Sequence, residues 1–148
     1  QILLQHLEDA YKNLDICEAY YRSIQEQVGL ITCYRIRSIG YYRQSKFDEA
    51  IELTEKGLAL AKAFPSPVEE ALCLGRLGSF YFKRQTVLGS YQQVEEKLLD
   101  VITLFRKLEL SFWESLSRNE LGDVYISQGK FKEARNVIAI SIKALRDF

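Results

Sequence analysis

The stretch LGDVYISQGKFKEA, from Leu121 to Ala134, decides the fold of this 148-residue chain. Leu121 and Tyr125 lie one helical turn apart, and the turn residues 127–130 (Ser-Gln-Gly-Lys) interrupt that helix. Apolar residues then mark one face of a second helix, at Phe131, Ala134, Val137, Ile138 and Leu145. The stretch therefore predicts two helices joined by a tight turn.

Small and large residues alternate around this turn in a way that fits a close helix crossing. Gly122 and Ala134 are small, as residues must be where two helix backbones approach each other. Tyr125 and Phe131 are large enough to fill the space on either side of the crossing. The two helices are therefore expected to pack antiparallel.

The second half of this unit recurs along the chain. Four similar tetrapeptides are LEDA (7–10), FDEA (47–50), YQQV (91–94) and FKEA (131–134). Their first residues, 7, 47, 91 and 131, are separated by 40, 44 and 40 positions. A fixed spacing in this range is typical of repeat proteins built from stacked supersecondary units.

A second repeated feature precedes three of the tetrapeptides. A small residue stands three positions before a tyrosine in the pairs Ser38/Tyr41, Gly78/Tyr81 and Gly122/Tyr125. The longer 44-residue step places four additional residues in 83–90, where we predict a turn.

Helical periodicity predicts seven helices, at about 3–26, 30–44, 47–63, 67–85, 89–108, 112–127 and 131–146. Helices that begin with a tetrapeptide are named B helices, and the helices that precede them A helices. One repeat domain, 1–148, then comprises an orphan B helix (1–28) and three A–B repeats (29–66, 67–110 and 111–148). Ser66, Pro67 and Glu69 form a helix-start signature with a capping box. Because the chain starts at Gln1 and has no methionine, we expect a piece of a longer protein.

The stretch 121–134 closely resembles the tetratricopeptide repeat (TPR) consensus, which its residues Gly122, Tyr125, Gly129, Phe131 and Ala134 match. The other repeats depart from the consensus at Val94, where alanine is usual, and at Arg37, where an apolar residue is usual. A period near 40 is similar to arrays in bacterial signalling and transcription regulators, kinesin light chains and Leu-Gly-Asn-type polarity scaffolds.

The resemblance implies an all-α fold, a right-handed superhelical α-solenoid of antiparallel helix pairs. It also implies that a protein or peptide binds in a concave groove lined by the A helices. Carried over by register, the groove residues are Arg35, Ile39, Tyr42, Arg43, Ser79, Phe82, Lys83, Asn119 and Asp123. Ile39 and Ser79 occupy positions where chaperone-tail-binding members carry asparagine, so that subtype is not expected.

Charge is unevenly distributed along a chain whose net charge is zero. Residues 29–46 carry four cations and no acid, whereas 1–28 and 47–64 have net charges of −3 and −2. Arg35 and Arg43 beside Tyr42, together with Lys83 and Phe82, favour an acidic peptide or a carboxylate terminus as partner. The alternative is that these arginines pair with acids on the flanking B helices.

Other classes of function find little support in the sequence. Net charge zero makes nucleic acid an unexpected partner, and no apolar run is long enough to cross a membrane, so a cytoplasmic protein is expected. His6 is the only histidine and has no evident catalytic partners, and no phosphate loop is present, so we expect neither an enzyme nor a cofactor. The cysteines Cys17, Cys33 and Cys73 match no metal spacing and are expected to be reduced and mostly buried.

Two functional hypotheses remain. The first is an interaction module that binds a peptide or protein segment in the groove. The second is a structural or regulatory sensor segment of a larger signalling or transcription regulator, acting by domain stacking or self-association. The orphan helix favours the second, because Ile2, Leu3, Leu14 and Ile16 would lack a covering helix and could support a homo-oligomer. Trp113 is expected to pack between the second and third repeats, or else to contact a neighbouring domain.

Overall fold

The computed structural model describes residues 2–88 and 91–146, with side chains for 6–84 and 91–146. The described chain is all-α and of the helical-repeat class, with no strand in those residues. Its seven helices are α1 (Ile2–Ser23), α2 (Gln27–Arg43), α3 (Phe47–Ala63), α4 (Pro67–Leu88), α5 (Gln92–Lys107), α6 (Ser111–Ser127) and α7 (Phe131–Arg146). The A helices of the predicted repeats are α2, α4 and α6.

Four of the helix ends use the same turn. The turn residues Gln25, Ser45, Glu109 and Gly129 have φ values of 54°, 61°, 57° and 74°. In each, the next residue's N–H donates back across the turn, as Lys130 does to the Tyr125 carbonyl at 2.8 Å. This left-handed ending satisfies carbonyls that the helix leaves unpaired, and glycine adopts it without steric cost. Only one of the four turns has glycine there.

Two compact units divide the chain, Gln1–Cys73 and Leu74–Phe148, and the boundary lies inside α4. In the first unit, α2 packs against both α1 and α3. Ile31, Ala61 and Cys73 form a buried cluster contributed by α2, α3 and the first turns of α4. Burial raises the pKa of the Cys73 thiol to about 11.

In the second unit, α6 and α7 cross closely at Gly122. A Cβ added to Gly122 would lie 2.6 Å from Ile138 Cγ1, which confirms the steric reason for glycine at this position. Ala134 is buried, and the buried Ser141 hydroxyl donates to the Ser115 carbonyl at 2.9 Å, tying α7 to α6. Trp113 stacks on Phe105 of α5, so it packs between the helices of the second and third repeats.

The four additional residues of the second repeat lengthen a helix. The prediction placed them in a turn over 83–90, but α4 continues to Leu88, and residues 89 and 90 lie outside the described part. The stretch 83–88 contains neither glycine nor proline, so no helix-breaking residue ends α4 before Leu88.

One other expectation needs correction, that of mostly buried cysteines. Cys33 and Cys73 are buried, but Cys17 is exposed on α1. Leu14 is half-buried, whereas Ile16 is 68% exposed, as expected for an uncovered helix face. Ile2 and Leu3, which were expected to share that face, lie outside the residues with described side chains.

Candidate functional site

Each A helix has one face whose side chains are all at least partly exposed. We call it the A face: Val28, Thr32, Ile36, Ile39 and Arg43 on α2; Val68, Leu72, Arg76, Ser79 and Lys83 on α4; Phe112, Leu116, Glu120, Asp123 and Ser127 on α6. Within each helix these positions are three or four residues apart, so they form one stripe. Equivalent positions of the three repeats are therefore accessible in each helix, although the residue types differ.

In the first unit, the A face borders an ion pair between α2 and the first turn of α4. Arg35 Nη2 lies 3.7 Å from Glu69 Oε2, and both side chains are more than four-fifths buried. That separation exceeds a hydrogen bond. Arg35 Nε and Glu69 Oε2 have no hydrogen-bond partner in the described part of the chain. The Glu69 carboxylate therefore lies against Arg35 and does not serve as the predicted helix cap.

The other cations of α2 differ from Arg35 in their surroundings. Arg37 lies 2.6 Å from Asp15 and 2.9 Å from Glu18, both on the preceding B helix. Arg37, which was not among the predicted groove residues, thus pairs with acids of a B helix, whereas the groove residue Arg35 contacts Glu69 of an A helix. Arg43 is exposed at the end of α2.

In the second unit, a polar cluster joins α4 to α6. The Ser79 hydroxyl donates to Glu120 Oε1 at 2.6 Å. Burial raises the pKa of the Glu120 carboxyl above its usual range. The Ser79 hydrogen bond and the Arg76 cation oppose that rise, Asp123 adds to it, and Lys83 opposes it. One further carboxylate and two cations thus act on the half-buried hydrogen bond between Ser79 and Glu120.

Not all of the predicted groove residues are available to a ligand. Phe82 is only 5% exposed and lies 6.2 Å, centroid to centroid, from the Tyr91 ring. Tyr42 is half-buried with its ring against Phe47. The Lys83 ammonium lies 5.3 Å from the Phe82 ring centroid, so the buried ring makes a cation–π contact with this exposed lysine.

The remaining predicted residues, Ile39, Ser79, Asn119 and Asp123, are exposed or half-buried. The prediction omitted Ile36, Arg76 and Glu120, which occupy one equivalent position in the three repeats. Their signal was available in the spacing, because Ile36 lies four residues after Thr32 and three before Ile39. The family register instead assigned the preceding residue to the groove, Arg35 rather than Ile36 and Asn119 rather than Glu120.

No family model matches the sequence, and no curated protein matches it. Among solved structures, the crystal structure of aspartyl phosphate phosphatase F from Bacillus subtilis is similar to this chain, with a TM-score of 0.77 at 14% sequence identity. The similarity covers 96% of this chain and 37% of that one, so the chain spans little more than a third of its neighbour's length. At this identity the likeness shows the fold alone, a TPR-like helical repeat.

None of the described helices combines the length and hydropathy needed to cross a bilayer. Within the same residues, no group of three or more His, Cys, Asp or Glu side chains is arranged to hold a metal ion.

Proposed function

We propose that this chain is a protein-interaction module and that the A face binds a peptide or protein segment. The observation that carries the proposal is the repeated exposure of apolar side chains at equivalent A-face positions. Val28, Val68 and Phe112 stand at one such position and are 45%, 43% and 54% exposed. Ile36 and Leu116 extend the apolar surface along α2 and α6.

Polar groups between these apolar residues favour a peptide over a purely hydrophobic partner. Arg43, Ser79 and Asp123 offer hydrogen-bond donors and acceptors on the A faces of α2, α4 and α6. Ligand sites combine apolar contact area with a few polar groups that fix orientation. An extended segment carries both, because its backbone amides supply polar groups between side chains.

The proposal is tested by selecting random 12-residue peptides displayed on phage against the immobilised chain. Enriched peptides should bind the wild type and lose at least about tenfold in affinity when Ile36→Glu or Leu116→Glu places a charge on the apolar stripe. The control is Leu99→Glu on the B helix α5, since Leu99 (45% exposed) matches Ile36 (49%) in exposure. Failure to enrich any peptide, or equal loss in the control, would contradict the proposal.

A second candidate, a regulatory segment that stacks on other domains or on itself, is favoured by apolar surface elsewhere. On α1, Ile16 and Tyr20 are 68% and 59% exposed one turn apart, and on α7 Phe131 is 69% exposed. Sedimentation velocity over a range of concentrations tests self-association. A dimer that is lost in Ile16→Glu would support this candidate, and a monomer at every concentration would oppose it.

A further inference from the structure

The ion pair between Arg35 and Glu69 lacks the hydrogen bonds that an arginine and a carboxylate usually form with each other. Arginine has five N–H donors, and a carboxylate normally takes two of them in a bidentate arrangement. Here the nearest atoms, Nη2 and Oε2, are 3.7 Å apart, and Arg35 Nε donates to no described residue. The pair therefore keeps its charges close without forming the hydrogen bonds that would repay their burial.

Each member of this pair has an exposed apolar residue next to it in the sequence. Ile36 follows Arg35 on α2 and Val68 precedes Glu69 on α4, and these two side chains are 49% and 43% exposed. A ligand seated on Ile36 and Val68 would place its own polar groups next to the guanidinium. Arg43 adds an exposed cation two turns further along α2.

We infer that the first unit's part of the A face binds an acidic peptide segment, whose carboxylate takes the place of Glu69 against Arg35. This inference rests on the proposed function and names its ligand class. Glu69 then acts as an internal substitute for the ligand, holding Arg35 in position and weakening binding by competing for it. The exposed apolar side chains accept the ligand's aliphatic residues, and Arg43 accepts a second acid.

Three variants separate this arrangement from a general effect of charge. Glu69→Gln removes the competing carboxylate and should tighten binding of an acidic peptide by about tenfold. Glu49→Gln makes the same change in net charge on an exposed position of α3 and should change affinity by less than about twofold. Arg35→Gln combined with Glu69→Gln keeps the wild-type net charge and leaves no buried charge unpaired, yet should weaken binding by at least about tenfold.

The probe is the set of peptides enriched from the random 12-residue library, measured by fluorescence polarisation with circular dichroism of every variant as a check on folding. We expect an excess of Asp and Glu among peptides selected by the wild type, and loss of that excess in peptides selected by the double variant. Enriched peptides without an acidic excess would overturn the inference and leave the interaction module intact. Equal tightening by Glu69→Gln and Glu49→Gln would overturn it as well, and a library that yields no peptide would instead remove the proposed function.

Discussion

The helix pairs α2–α3 and α6–α7 share one backbone design but differ in the residues that build it. Where α6 has Gly122 at its crossing with α7, the equivalent residue of α2 is Ser38, which is fully buried and donates to the Arg35 carbonyl at 2.8 Å. The turn between α6 and α7 has Gly129, whereas the turn between α2 and α3 has Ser45 in the same left-handed conformation. Consensus glycines therefore lower the cost of this geometry but are not required for it.

The largest expected effect comes from filling the tighter crossing. Gly122→Val should lower the free energy of unfolding by about 2–3 kcal/mol, because its Cβ would overlap the Ile138 side chain. Ser38→Ala should cost less than about 1 kcal/mol, since it removes one hydroxyl hydrogen bond and adds no bulk. Urea denaturation followed by circular dichroism measures both, and equal costs would show that the two crossings are not different in kind.

The turns provide a smaller and opposite pair of effects. Gly129→Ala should destabilise the fold by about 1 kcal/mol, because an L-residue at φ 74° is strained. Ser45→Gly should stabilise it by up to about 1 kcal/mol, since the strain of φ 61° is relieved and the gain exceeds the added flexibility of the unfolded chain. Thermal or urea unfolding of the two variants tests the contrast, which would fail if both changes had the same sign.

The smallest effect concerns the polar groups of α6 and depends on pH. Because the pKa of Glu120 is raised above 4.5 in the fold, its ionised form is the less stable one there. The resulting penalty is absent below pH 4.5 and grows as pH rises through the raised pKa. Glu120→Gln should therefore stabilise the chain near neutral pH and lose this advantage in acid. Unfolding curves at pH 4 and pH 7 measure the difference, and an advantage independent of pH would contradict the assignment.

Much of the fold was predictable from local sequence. The bounds of α3 and α7 were predicted to the residue, because a turn precedes each and a tetrapeptide begins it. The end of α4 was not, although residues 83–88 contain neither glycine nor proline and Gly89 follows Leu88 in the sequence as a stop signal. Helix length follows from tertiary packing as well as from propensity, and the repeat spacing alone could not divide the four residues between helix and turn.

The candidate surface was harder to predict than the fold. Family register placed Phe82 in the groove, yet its ring is buried against Tyr91. A shift of one residue on a helix turns a side chain by about 100°, so a small error in register exchanges core for surface. Arg37 and Arg35 look alike in the sequence, but one is bound by the acids of α1 and the other is only loosely paired with Glu69. Such partners come from other helices, which a single sequence does not specify.

The unequal burial of the three cysteines has a practical consequence for chemical labelling. With a pKa near 11, only about one Cys73 thiol in ten thousand is ionised at pH 7, and burial also raises the pKa of Cys33. Maleimides react with accessible thiolates, so a fluorophore should attach at Cys17 in the unmodified chain. A dye there would sit beside Ile16 and Tyr20, and its emission would report directly whether anything comes to cover that face of α1.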